Sequence, residues 1–208
     1  MRKVQDYYFA RAKKENYPAR SVFKLEEAWQ KYGFLKSGQR VLDLGCHPGS
    51  WSLYAAGIVG SRGVVVGVDR QETNLPGQKG HAEIYWLCYD VYDDELVGRL
   101  KKQWPGFQVV LSDMAPRTTG SRYADHQQSM RLVRRALEIA ALLLHENGTF
   151  YCKAFQGGDF PAVVRECKSM FRKVKVVKPD SSRRESREVF ILGQGFQPRR
   201  HGRKQENP

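Results

Sequence analysis

The chain has 208 residues, 41% of them hydrophobic, which suffices for one full core and leaves little room for a second independent domain. No apolar run approaches the ~20 residues of a membrane span, and MRKVQDYYFARAKKEN offers no stretch for a signal peptide, so a soluble cytoplasmic protein is expected. The formal charge of +13 is unevenly placed: residues 1–20 hold 6 basic and 2 acidic side chains, residues 165–208 hold 13 and 5, and the stretch between carries only +1. Two basic ends on one small domain favour a nucleic acid over an anionic membrane, because no basic helix with a broad apolar face accompanies them.

Residues 1–20 read as a basic arm in which Tyr7, Tyr8, Phe9 and Tyr17 alternate with cations. That pattern suits either stacking on unpaired bases or packing of the arm onto a core. Ser21 is placed to cap a helix, SVFKLEEAWQKYG, that Gly33 stops. Strand-like runs follow at 40–44, 63–68, 83–87, 108–112, 149–153, 174–178 and 188–193, with helical patterns near 50–59, 93–102, 125–145 and 160–171. Near-continuous Val, Ile and Leu runs separated by amphipathic helices indicate a doubly wound α/β domain over residues 21–194, with a mainly parallel seven-stranded sheet. The last two runs have no helix between them, so an antiparallel pair is expected at one edge. Residues 195–208 read as a basic, disordered tail.

In such sheets ligands bind outside the carboxyl ends of the strands, and chemistry-bearing residues cluster there: Asp43 and Gly45 with the first strand, Asp69 with the second, Asp90 with the third, Asp113 with the fourth, Lys153 with the fifth. The first turn, DLGCHPGSW, has Gly45 and Gly49 for close backbone approach, but Asp43 stands where a dinucleotide fingerprint has its first glycine. A pyrophosphate would meet a carboxylate there, so a cationic nucleoside such as S-adenosylmethionine fits better than NAD or FAD. Asp69 is then placed for ribose hydroxyls, Asp90 for the adenine amine, and Trp51 for the pocket lining. Cys46, Cys88, Cys152 and Cys167 are widely spaced, and neither they nor the five histidines form a ligand pattern; no metal site is expected.

From YPARSVFKL through DLGCHPGSW, SDMAP and CKAFQG to KPDSSRRESREVFILG, nearly the whole chain resembles the ribosomal RNA uridine 2′-O-methyltransferases of the FtsJ/RrmJ group. The resemblance implies a Rossmann-like, S-adenosylmethionine-dependent methyltransferase fold, large-subunit ribosomal RNA as the partner, and a catalytic tetrad on Lys24, Asp113, Lys153 and Glu188. It also implies cofactor contacts at Gly49, Trp51, Asp69, Asp90 and Asp113. Cys46 and His47 depart from the small residues usual in the first turn, and Ser50 replaces the second glycine of the usual pair before Trp51.

The chemistry can be argued independently. Methyl transfer from a sulfonium to a ribose hydroxyl is an in-line displacement that needs a base, and Lys153 is the candidate. A lysine accepts a proton only when neutral, against a reference pKa near ~10.4. Two lysines and two carboxylates sum to zero, and a bound sulfonium makes the site cationic, which eases the loss of a proton. Taken singly, Lys24 reads equally well as a solvated helix residue, and Glu188 as a partner of Arg184 or Arg187. A methyltransferase acting on transfer RNA or a messenger RNA cap, and a noncatalytic ribosome-assembly factor, are the competing readings. A monomer is expected, since no apolar stripe is left over.

Overall fold

A computed structural model describes residues 2–117, 119–183 and 185–198, with side chains from Tyr7 onward. Most of the expected basic tail lies outside the described residues. The elements run α1 (Arg2–Lys14), α2 (Val22–Tyr32), β1 (Arg40–Leu44), α3 (Ser50–Val59), β2 (Val64–Asp69), β3 (Glu83–Cys88), α4 (Asp94–Gln103), β4 (Phe107–Ser112), α5 (Arg122–Leu143), β5 (Leu144–Phe155), α6 (Phe160–Lys168), β6 (Phe171–Val177) and β7 (Glu188–Phe196). They build one seven-stranded sheet in the order β3-β2-β1-β4-β5-β7-β6. Strands β1 to β5 pair in parallel, while β7 runs antiparallel to both β5 and β6. The expected antiparallel pair thus lies at one edge; within it β7 is inserted beside β5 and β6 is outermost.

The two-residue period of the strands sorts their side chains into two cores. Val41, Val65, Leu111, Tyr151 and Phe190 face Phe23, Leu25 and Ala56 on the α2–α3 side. Leu42, Val66, Val110, Phe150 and Ile191 face Leu100, Met130 and Val163 of α4, α5 and α6. Burial on both faces explains why the central strands read as unbroken apolar runs.

Several boundaries differ from expectation. The arm contains a helix, α1: Ala12 is buried, the Tyr8 and Phe23 rings lie 5.3 Å apart, and Arg11 sits 4.3 Å over Phe23 while pairing with Glu26 at 2.9 Å. Of the arm's aromatics, Tyr8 and Tyr17 pack onto the core, whereas Tyr7 and Phe9 are exposed. Ser21 has helical dihedrals and caps nothing with its side chain; its carbonyl instead accepts the Trp51 indole N–H at 2.8 Å. Helix α5 ends at Leu143 and passes directly into β5, so the Asn147-Gly148 turn, with Asn147 at φ +65°, belongs to the irregular start of that strand. Strand β7 continues to the buried Phe196, two residues past the expected domain end.

Candidate active site

Parity on the strands decides what meets at the carboxyl edge. Asp113 follows Leu111 by two, Lys153 follows Tyr151 by two, and Glu188 precedes Phe190 by two, so all three lean toward the face on which α2 lies. Because β7 is antiparallel, its first residue stands at the carboxyl end of β5, with Glu188 opposite Phe155 and Phe190 opposite Lys153. Helix α2 brings Lys24 to the same place.

The four side chains form two ion pairs. Lys24 Nζ lies 2.7 and 2.8 Å from the two Glu188 oxygens, with both side chains 13% exposed. Lys153 Nζ donates to Asp113 Oδ1 at 2.9 Å and to the Asp113 carbonyl. Burial alone would raise the Glu188 pKa, but the charge and hydrogen bond of Lys24, then the Lys153 charge and the Ser182 hydroxyl, hold it below the carboxylate norm. Of the two other partners considered for Glu188, Arg187 donates instead to the Arg122 carbonyl, and Arg184 lies outside the described residues. Beneath the pairs, Tyr151 stacks between Trp51 and Phe190, with centroids 5.6 and 5.0 Å away, and its hydroxyl donates to the Lys24 carbonyl at 3.1 Å. Burial, followed by the charges of Asp113, Glu27 and Glu188, pushes the Tyr151 phenol far above its ordinary pKa, so it is a fixed donor.

Beside the pairs a cleft of about 1100 Å³ opens along the strand ends, and Gly45, Asp69, Asp90 and Asp113 line it together with Val68, Met114 and others. Gly45 has φ +77°, and a Cβ there would lie 2.5 Å from Met114 Cγ, so only glycine leaves the turn its path. Asp69 is oriented by the His47 and Gln71 amides, and Asp90 by the Tyr92 amide. Among the described residues no three His, Cys, Asp or Glu side chains gather as metal ligands.

Three expected cofactor positions do not line the cleft. Trp51 is 2% exposed with its ring in the core, because α3 is buried on nearly every side and the indole turns toward Tyr151. Gly49, at φ +109°, is covered by Leu75 and Trp86. Asp43 is fully buried, accepts from Ser52 at 2.7 Å through one oxygen and has no partner on the other. Desolvation, resisted by the Ser52 hydrogen bond and reinforced by Asp113 and Asp69, pushes its pKa up to about 7.

A family model described as FtsJ-like methyltransferase matches residues 17–196. The chain belongs to the FtsJ-like methyltransferases. It is 50% identical over 196 residues to ribosomal RNA large subunit methyltransferase E of Desulfotalea psychrophila, covering 94% of this chain and 98% of that one. It is 46% identical to the protein of the same name from Oleidesulfovibrio alaskensis, with 94% of each covered. A crystal structure of a Plasmodium falciparum protein named as a ribosomal RNA methyltransferase superposes with a TM-score of 0.75 at 25% identity, over 88% of this chain and all of the other.

In this FtsJ-like methyltransferase the departures in the first turn have local partners. Ser50 accepts the Ala19 amide at 2.8 Å and so ties the segment before α2 to the start of α3. Cys46 fits because residue 67 is glycine: a Cβ there would come within 2.9 Å of the sulfur. His47 shares a hydrogen bond with Thr73 at 3.1 Å. The sequence reading missed a second layer. Glu27, one turn after Lys24, accepts the Asp180 and Ser181 amides at 2.7 and 3.1 Å and the Tyr8 hydroxyl at 3.2 Å, while Ser182 donates to Glu188 at 2.9 Å. Lys178 donates to the carbonyls of Ser186 and Glu188. Only the i, i+3 spacing of Lys24 and Glu27 hinted at this clamp.

Proposed function

We propose that the protein transfers the methyl group of S-adenosylmethionine to a ribose 2′-hydroxyl, that of a uridine, in large-subunit ribosomal RNA, acting in the cytoplasm as a monomer. The observation that carries the reading is the juxtaposition of the Lys153–Asp113 and Lys24–Glu188 pairs with an acid-lined cleft at the strand ends. The cleft suits the cofactor chemically: Asp69 and Asp90 are acceptors for hydroxyl and amine groups, and the open backbone at Gly45 leaves room that a Cβ would fill. When bound, the cofactor supplies an electrophilic methyl on a sulfonium. As the neutral amine, Lys153 holds the acceptor hydroxyl and takes its proton on the nitrogen lone pair; its two N–H bonds are fixed by Asp113, which leaves the third direction for the substrate. Lys24 and Glu188 pair beside it, close enough for the Lys153 charge to act on the carboxylate. The name shared by the relatives supports large-subunit ribosomal RNA as substrate, and the cationic ends suit a polyanion. Among the described residues no helix is long and apolar enough to cross a membrane.

The test is methyl transfer from labelled cofactor to large subunits, naked ribosomal RNA and transfer RNA, with the product mapped by resistance to alkaline cleavage. A 2′-O-methyluridine confined to large-subunit RNA is the expected result. Label on transfer RNA alone overturns the substrate, and transfer to no RNA overturns the activity.

A further inference from the structure

We propose that Tyr123, with Arg122 and Arg187 beside it, is a stacking platform for an unpaired base next to the nucleotide that is methylated. The inference rests on the RNA reading above. The Tyr123 ring is 75% exposed, more than any other large apolar side chain among the described residues. It does not ride on a loose segment. Ser121 caps α5 by accepting the Ala124 amide, and the buried Asp125 accepts the Thr119 amide at 2.8 Å and its hydroxyl at 3.0 Å. A ring held open to water on a fixed backbone is preorganised for a flat partner.

Its position is set by Arg187. Both terminal nitrogens of that guanidinium donate at 3.3 Å to the carbonyl of Arg122, the residue before Tyr123, and the Arg187 carbonyl accepts the Gln156 amide at 2.9 Å. The first turn of α5 is thereby joined to the ends of the strands that carry Lys153 and Glu188. Charge identifies the occupant. Among the described residues neither Arg122 nor Arg187 has a carboxylate within 4.0 Å, and the Arg187 guanidinium is held only by a main-chain carbonyl. Uncancelled cations beside a single ring suit an anionic strand with exposed bases, not an apolar protein surface. Stacking is tolerant of base identity, so the platform positions the strand while the ribose hydroxyl is selected at Lys153.

The test compares wild type with Tyr123→Ala, Tyr123→Phe and Tyr123→Trp in methyl transfer to naked, unmethylated large-subunit RNA and to unmethylated large subunits, with cofactor binding measured alongside. Tyr123→Ala is expected to raise the KM for RNA about tenfold, as for the loss of one base stack, while kcat and cofactor affinity hold and the Phe and Trp variants stay near wild type. An unchanged KM overturns the proposal. So does an equal loss in Tyr123→Phe, which would implicate the hydroxyl, or a loss seen on subunits but not on naked RNA, which would assign the ring to a protein contact. If wild type methylates RNA and Tyr123→Ala does so equally well, this inference alone fails; if wild type methylates no RNA, the functional reading fails with it.

Discussion

Lys153 and Asp43 show how differently two ionisable residues at strand ends are used. Lys153 has its protons directed by Asp113, so Lys153→Ala is expected to lower single-turnover transfer by about 10²–10⁴-fold while filter binding of RNA persists. Asp43 is buried with one oxygen unpartnered, and its pKa rises from an ordinary 3.8 to about 7. A carboxyl whose pKa is raised on folding favours the folded state at low pH and loses that advantage as pH climbs through the folded value. Stability should therefore fall between about pH 4 and pH 7, by about 1.4 kcal/mol for each pH unit crossed, and then level off. The lowered Glu188 pKa acts oppositely, contributing above its ordinary value of 4.5 and failing as pH drops further. A melting series over this range should show the decline in wild type and not in Asp43→Asn; the same slope in both would show that another group is responsible.

Among the elements, α2 carries the largest share of the site, because Lys24 meets Glu188 and Glu27 clamps the segment that delivers Ser182 to the same carboxylate. Glu27→Ala is expected to lower kcat about 10²-fold, the effect of an ångström of misplacement, with cofactor affinity retained; an unchanged kcat would show that Glu188 is held without the clamp. The central strands β1, β2, β4 and β5 were legible because each is apolar on both faces and has an acid or a lysine at its carboxyl end, and the parity of Asp113 and Lys153 follows from those runs. The clamp was not legible, since Glu27 and Asp180 are far apart in sequence and their bonds run from side chain to main chain. Helix α1 was missed for a related reason: RKVQDYYFARAKK has no clear apolar stripe, and the helix is held by contacts of Tyr8 and Arg11 with α2. Trp51 misled because α3, SWSLYAAGIV, is buried almost all round and its pattern singles out no face.

The whole molecule is a nearly neutral middle with cationic ends, and that distribution should govern its response to salt. Deleting residues 197–208, which hold Arg199, Arg200, Arg203 and Lys204, removes four cations. RNA affinity should fall and the slope of log affinity against log salt should shallow by about 3, at roughly 0.7 per phosphate contact on a single strand, with the melting temperature unchanged. An unaltered slope would mean that the tail makes no phosphate contacts.

The insertion of β7 between β5 and β6 also orders events in time. Strand β6 is synthesised first, yet in the sheet it pairs with β7 alone. As the chain emerges from the ribosome, residues 171–177 have no neighbour to bond and β5 keeps a bare edge until residues 188–196 arrive. The same late strand delivers Glu188. A chain made only as far as β6 therefore lacks Glu188, and Lys24 waits without its carboxylate until the last strand arrives.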